Sequence, residues 1–458
     1  MEQTVSGKIA QFATSVRYED LPPEVVGAAK RFLYDAVGCG LGGVETHDCR
    51  IARKALLALG GKPQCTIIGT GERTDCVNGA LINALQIRVH DYNDIYWKAD
   101  PSHPSDIIPA ALAVGERENK SGKELLVAIA LAYEFEMRLC EIGTPGIREI
   151  GWHHATLTGF VAPIAAGRML GLTAQQMQNA IAISGCRTGS IGCVTAGKLT
   201  MMKNTVDPLA TQAGVQAALL AQGGYIGTAA VFEGKEGVQH CYPVKWNWDA
   251  LTANLGREWR LPQCSMKAFP TEYLTHSPIS ATLKLVTENN LMPDDIKQLT
   301  VYTLARAADI LCDPSKYIPS SKETADHSLP YCLAVAIADR AVTPAQFTDR
   351  RRTDPALPAL MKKVKGIADP EIEKQFPGLQ PCRVEIETTD GRKLEKRVDY
   401  AMGDPRDPID DVSLDKKFSA QAEGLLSPQR QAELKEAIFG LDSLAHTGQL
   451  MLLTSGDL

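Results

Sequence analysis

Val161-Ala-Pro-Ile-Ala-Ala-Gly-Arg168 and Gly214-Val-Gln-Ala-Ala-Leu-Leu-Ala221 decide the fold class. Both place apolar residues at helical spacing, and most of those residues are small. Small side chains let helices approach closely, so the two stretches predict a tightly packed helical body. Outward from them, the same periodicity predicts helices over Val25–Val37, Val77–His90, Ser105–Glu118, Gly122–Leu139, Ala155–Leu170, Thr173–Ser184 and Leu209–Gln222. Leu170-Gly-Leu-Thr173 reads as a helix stop followed by a threonine cap, with Gln176 three residues on.

The character changes near residue 265. Gln298-Leu-Thr-Val-Tyr-Thr-Leu304 alternates at period two, as a half-buried strand does. In Cys382-Arg-Val-Glu-Ile-Glu-Thr-Thr-Asp-Gly-Arg-Lys-Leu-Glu-Lys-Arg-Val398, Val384 and Ile386 alternate with charges, and Asp390-Gly391 is a hairpin turn signal. Helices are predicted over Ser328–Ala341 and Leu357–Val364, and again over Ser427–Leu444 in the tail. The expected fold is therefore mostly α. A large all-helical domain (1–265, completed by 405–458) carries a smaller α+β lid domain (266–404).

Composition narrows the function. The chain has 458 residues, with 48 Lys+Arg against 54 Asp+Glu and a net charge of −6. That mildly acidic balance argues against a nucleic-acid-coating protein, which needs a basic face. No stretch approaches the length of a membrane span, and the start lacks the basic-then-apolar pattern of a secretory signal, so a cytoplasmic protein is expected. Twelve cysteines include no C-x-x-C pair, which argues against structural zinc and iron–sulfur clusters, and all are expected to be reduced. Gly38-Cys-Gly-Leu-Gly-Gly43 matches the dinucleotide fingerprint but follows a helix rather than a strand. Its glycines are expected to end that helix and let it pack closely.

Five polar clusters remain, and they hold most of the nine histidines. His90-Asp-Tyr-Asn-Asp94 with His103-Pro-Ser lies between apolar helices, where loops carry function. Asp91 and Asp94 are expected to share a face, and either could orient His103 as an acid or base. In Gly151-Trp-His-His154, adjacent positions on a helix diverge, so one histidine at most is expected to face a site. Lys203, read in an apolar-flanked loop, is a candidate for a desolvated proton carrier. Lys267 with His276, and Asp326-His327 leading to Tyr331, complete the set. No hydrolase elbow, P-loop or H-E-x-x-H is present. Histidine, lysine and aspartate without an evident nucleophile or metal suit proton transfer on an anionic substrate.

In this order the motifs resemble the MmgE/PrpD family, which includes 2-methylcitrate dehydratases, cis-aconitate decarboxylases and iminodisuccinate epimerases. The resemblance rests on Asp91-Tyr-Asn-Asp94 with His103-Pro-Ser, Gly151-Trp-His153, Lys203, Lys267-Ala-Phe-Pro270 and Asp326-His-Ser328. It implies a site between two domains, no metal or organic cofactor, and a homodimer. It further implies that His103 and Lys203 transfer protons, with Asp91 tuning His103. His153, Lys267 and His276 are then candidates for binding a carboxylate of a di- or tricarboxylate substrate or for a second proton transfer, and Asp94, His327 and Tyr331 for binding that substrate. The nine-residue gap from Asp94 to His103 and the Ala325-Asp-His segment are more similar to the dehydratase branch. The implied reaction is dehydration of 2-methylcitrate or a relative. Decarboxylation or epimerisation on the same groups is the nearest rival, and a non-catalytic carboxylate- or protein-binding relative the second. Two departures stand out: Ile95, where many members carry threonine, and Asn204-Thr-Val-Asp-Pro208 after Lys203.

Overall fold

A computed structural model describes residues 4–457, and the fold is mostly α. The small-residue stretches lie in helices Ala155–Leu170 and Met202–Gln222, which pack against each other. Gly214 is the reason they can: a Cβ there would run into Ala162 and the Pro163 nitrogen. Helices Pro23–Gly43, Cys76–Arg88, Ile108–Arg117, Gly122–Glu141 and Ala174–Gly185 complete this body. Gly171, in the left-handed region at φ +68°, stops one helix, and the Thr173–Gln176 box starts the next.

Several expectations need correction here. The helix expected to stop where the glycines of 38–43 begin runs through them and ends at Gly43, while the close packing expected of them holds. They lie inside it, and a Cβ at Gly43 would collide with the Gln86 carbonyl of the neighbouring helix. The large body is also not purely helical. Short antiparallel pairs join Cys65–Thr66 to Arg73–Thr74 and Gly143–Thr144 to Lys245–Trp246. The Leu209–Gln222 helix begins earlier, at Met202, so Lys203 sits in its first turn rather than in a loop.

The second region is built on a four-stranded sheet in the order Lys393–Val398, Cys382–Thr388, Ile296–Thr303, Val364–Ala368. The hairpin turns at Gly391, φ +90°, and Cys382, Val384 and Ile386 are buried on one face. Helices His276–Glu288 and Leu329–Asp339 cover the sheet. The helix predicted over Leu357–Val364 stops at Met361, because Val364–Ala368 pairs in parallel with Ile296–Thr303. Pairing in a sheet overrides the local helical pattern. The tail holds helices Asp411–Ala422, Pro428–Phe439 and Thr447–Leu453, of which only the middle one was anticipated.

Buried apolar side chains fall into two large clusters, one drawn from Val5–Met266 and Ile409–Met451, the other from Phe269–Ala401. Strand Asp94–Trp97 links them. It pairs with Ser265–Met266 and with Pro101–Ser102, and it sends Ile95 and Trp97 into the second cluster. All twelve cysteines are free. Among the described residues, no helix is long and apolar enough to cross a membrane.

Candidate active site

At the junction of the two clusters a small cavity of about 30 Å³ collects most of the reactive side chains. Helix Cys76–Arg88 delivers Arg88 to it, and the chain then turns sharply so that Asp91 adopts φ +50°. Aspartate tolerates that left-handed conformation better than most residues. The turn aims the carboxylate at cations from three segments. Lys267 Nζ stands 2.7 Å from Oδ1, Lys203 Nζ 3.1 Å from Oδ2, and Arg88 also pairs with it. His327 Nε2 lies 4.0 Å away. Burial pushes the Asp91 carboxyl up, but Lys203, Lys267 and Arg88 together outweigh it and hold it well below the usual carboxylate range.

His103 is set differently. Its Nδ1 lies 2.6 Å from the Asp94 carbonyl oxygen, which can only accept, so Nδ1 carries the proton. Nε2 is left as an unprotonated acceptor on a ring that lines the cavity. Burial, reinforced by Arg88 and Lys267, holds the imidazole well below its ordinary pKa and therefore neutral. Asp91 makes no bond to His103; its main-chain neighbour Asp94 does the orienting. Nor do Asp91 and Asp94 share a face. The Asp94 carboxylate turns away to accept from the Ser105 amide at 3.0 Å and the Ser105 hydroxyl at 2.6 Å. Burial raises its pKa to about 6.

Lys203 projects from the first helical turn into the cavity, and burial lowers its pKa to about 8 despite the pull of Asp91. Lys267 is fully committed, donating to Asp91 and, at 3.1 Å, to the Thr271 carbonyl. His327 also lines the cavity, its Nδ1 2.5 Å from Asp326, with burial lowering its pKa to about 4.

Both His153 and His154 line the cavity, against the expectation of one. They precede helix Ala155–Leu170 rather than lying on it, so the helical divergence does not apply. His153 Nδ1 accepts from the Ala155 amide at 3.1 Å, which leaves its proton on Nε2. His154 stacks 3.9 Å from His153 and lies 5.5 Å from His103, with its Nε2 3.5 Å from Asp207. Among the described residues, His153, His154 and Asp207 are the one group with ligand atoms close enough for a metal ion. The Arg88 guanidinium, 3.9 Å from Asp207, competes for that carboxylate.

Besides Asp94, two sequence candidates stand apart from the cavity. His276 is buried between Phe269 and Tyr273, with Nε2 3.4 Å from the Thr271 carbonyl. Tyr331 donates its hydroxyl to the Gln346 carbonyl at 2.5 Å, inside the second cluster. Conversely, Arg88, Arg148, His154 and Glu272 line the cavity and were missed. Arg88 had one signal, a lone charge at the end of the uncharged, mostly apolar stretch Leu81–Ile87. Glu272 had none, and burial raises its carboxyl to about 7.

The comparisons with known proteins cover nearly the whole chain. The MmgE/PrpD N-terminal domain matches residues 7–250, and the MmgE/PrpD C-terminal domain matches 269–442. Cis-aconitate decarboxylase of Aspergillus terreus is 25% identical over 98% of this chain and 95% of its own length. Cis-aconitate decarboxylase of Homo sapiens is 26% identical over 97% and 94%. The 2-methylcitrate dehydratase of Cupriavidus necator is 24% identical over 92% and 90%.

Proposed function

The chain belongs to the MmgE/PrpD family, whose matched relatives are lyases, and we propose that this member dehydrates 2-methylcitrate or a closely related tricarboxylate. One observation carries the reading: a neutral imidazole with a free acceptor nitrogen, His103, and a buried ammonium, Lys203, line the same cavity. Dehydration needs such a base and such an acid at once. His103 Nε2 takes the proton alpha to a carboxylate, and that electron pair becomes the new C=C bond. The C–O bond breaks, and the departing hydroxyl leaves as water with a proton from Lys203. Asp91 holds Lys203 and Lys267 in place, and the Nε2–H of His153 is a neutral donor for a substrate oxygen. The reaction ends with His103 protonated and Lys203 neutral, and proton exchange with solvent restores both.

Two further parts of the reading concern assembly and cofactors. We take the protein to be a homodimer. An apolar stripe along helix Met202–Gln222, formed by Met202, Leu209 and Leu220 and extended by Tyr225 and Ile226, is open to solvent. Sedimentation at micromolar concentration should return twice the chain mass. The proton-transfer set calls for no metal or organic cofactor.

The deciding experiment follows ultraviolet absorbance of chelator-treated protein with the stereoisomers of 2-methylcitrate and with citrate. Alkene absorbance that rises after chelation is the expected result. A second reading, decarboxylation of cis-aconitate, is favoured by decarboxylases that align with 97–98% of the chain, against 92% for the C. necator dehydratase. Carbon dioxide release from cis-aconitate, with no alkene formed from the citrates, would replace the first reading by the second.

A further inference from the structure

Four side chains that are cationic at neutral pH line the cavity: Arg88, Arg148, Lys203 and Lys267. Three of them pair with Asp91, and Arg88 also faces Asp106 at 3.4 Å and Asp207 at 3.9 Å. Arg148 is the exception. Among the described residues, no carboxylate comes within 4 Å of its guanidinium, whose carbon sits 5.7 Å from the centre of the Trp97 ring. Nearby Asp100 is no substitute, since its carboxylate is spent on the main-chain amides of Ile147 and Arg148 at 2.8 and 3.0 Å. Those bonds fix the turn and leave the side chain free to reach inward. Glu272, the acid closest in influence, has a carboxyl raised to about 7 by burial and accepts from the Leu274 amide at 2.7 Å.

Position matters as much as charge. Arg148 and Thr195 line both the small cavity and a larger outer one of about 510 Å³. Arg306 and Lys316 also face the outer cavity, but Arg306 already pairs with Glu149. An anion arriving from outside therefore meets an uncompensated guanidinium before it reaches the Asp91 group. A half-buried guanidinium with no acid partner has its two-pronged donor face available to a carboxylate.

Building on the lyase reading above, we propose that Arg148 captures one carboxylate of the substrate and makes the enzyme prefer acids that carry that extra carboxylate. The test compares Arg148→Met and Arg148→Lys with the parent on the best-used tricarboxylate and on its analogue lacking one carboxylate. Arg148→Met should raise KM for the tricarboxylate roughly 10–100-fold, while kcat stays within about threefold. Arg148→Lys should recover part of that loss, and on the dicarboxylate analogue the parent and the Met variant should converge. If Arg148→Met does not fold, Arg148→Lys is read alone, with an intermediate rise in KM expected. Unchanged KM in the folded Met variant, or in the Lys variant when it stands alone, overturns the assignment and leaves the lyase reading intact. A parent protein that neither binds nor turns over any of these acids overturns the lyase reading instead. Sulfate then serves as the probe: thermal stabilisation of the parent that disappears in the Arg148 variant supports the capture site, and equal stabilisation of both overturns it.

Discussion

Lys267 Nζ stands 2.7 Å from Asp91, and Lys297 Nζ stands 2.7 Å from Glu387, yet the two pairs do different things. The first is sealed at the junction of two apolar clusters, with side chains 1% and 3% exposed. The second lies across neighbouring strands of the sheet, with side chains 61% and 35% exposed. Water screens the outer pair and competes for both partners, so its geometry carries little energy. At the inner site burial leaves little room for water to compete. Removing one member there strands the others as unpaired buried charges. Equal distances thus describe a solvated surface in one region and an electrostatically poised site in the other.

The comparison can be broken first at Asp91. Asp91→Asn should destabilise the fold by about 3–5 kcal/mol, read from denaturant unfolding, because Arg88, Lys203 and Lys267 lose their common partner. A loss below 1 kcal/mol would place the inner pair in the same class as the outer one. Next comes His103→Ala, which should lower kcat roughly 10²–10⁴-fold while the melting midpoint stays near the parent's. An unchanged kcat would remove His103 from proton transfer.

A pH profile sharpens the picture further. As the proton donor, Lys203 must be charged, so kcat/KM should fall as pH rises through about 8. His103 must be neutral, and its depressed pKa keeps the acidic side flat through ordinary working pH. In Asp91→Asn the carboxylate that raises the Lys203 pKa is gone, so the falling limb should move to lower pH. Lys203→Arg should lower kcat roughly 10²–10⁴-fold, since a guanidinium cannot give up the proton, and the residual activity should lack that limb. A limb that ignores both substitutions assigns the ionisation elsewhere. The smallest effect belongs to Lys297→Ala, whose melting midpoint should match the parent's within error.

What could be read from the chain follows the same division between local and assembled features. Helix Ala155–Leu170 was legible to the residue, since its small-residue face and the Gly171 stop are local signals. The hairpin at Asp390-Gly391 was equally plain. The strand Val364–Ala368 was not, because only its partner Ile296–Thr303 makes it one. At the site, polar clustering together with the family resemblance brought Asp91, His103, His153, Lys203, Lys267 and His327 into view, and the structure gathers all six at one cavity. It could not show that Asp94 contributes a carbonyl rather than a carboxylate, since that depends on the turn at Asp91. Arg148 was invisible for a different reason: its distinction is the lack of a partner, which no sequence pattern records.

The 30 Å³ cavity has a kinetic meaning. Such a space holds about one or two waters, far less than a citrate-sized acid occupies. The proposed substrate therefore needs this space to widen, and Arg148 and Thr195, which line both it and the 510 Å³ outer cavity, mark the side on which it opens. Where that widening limits the cycle, throughput should respond to solvent viscosity as well as to the acids and bases inside.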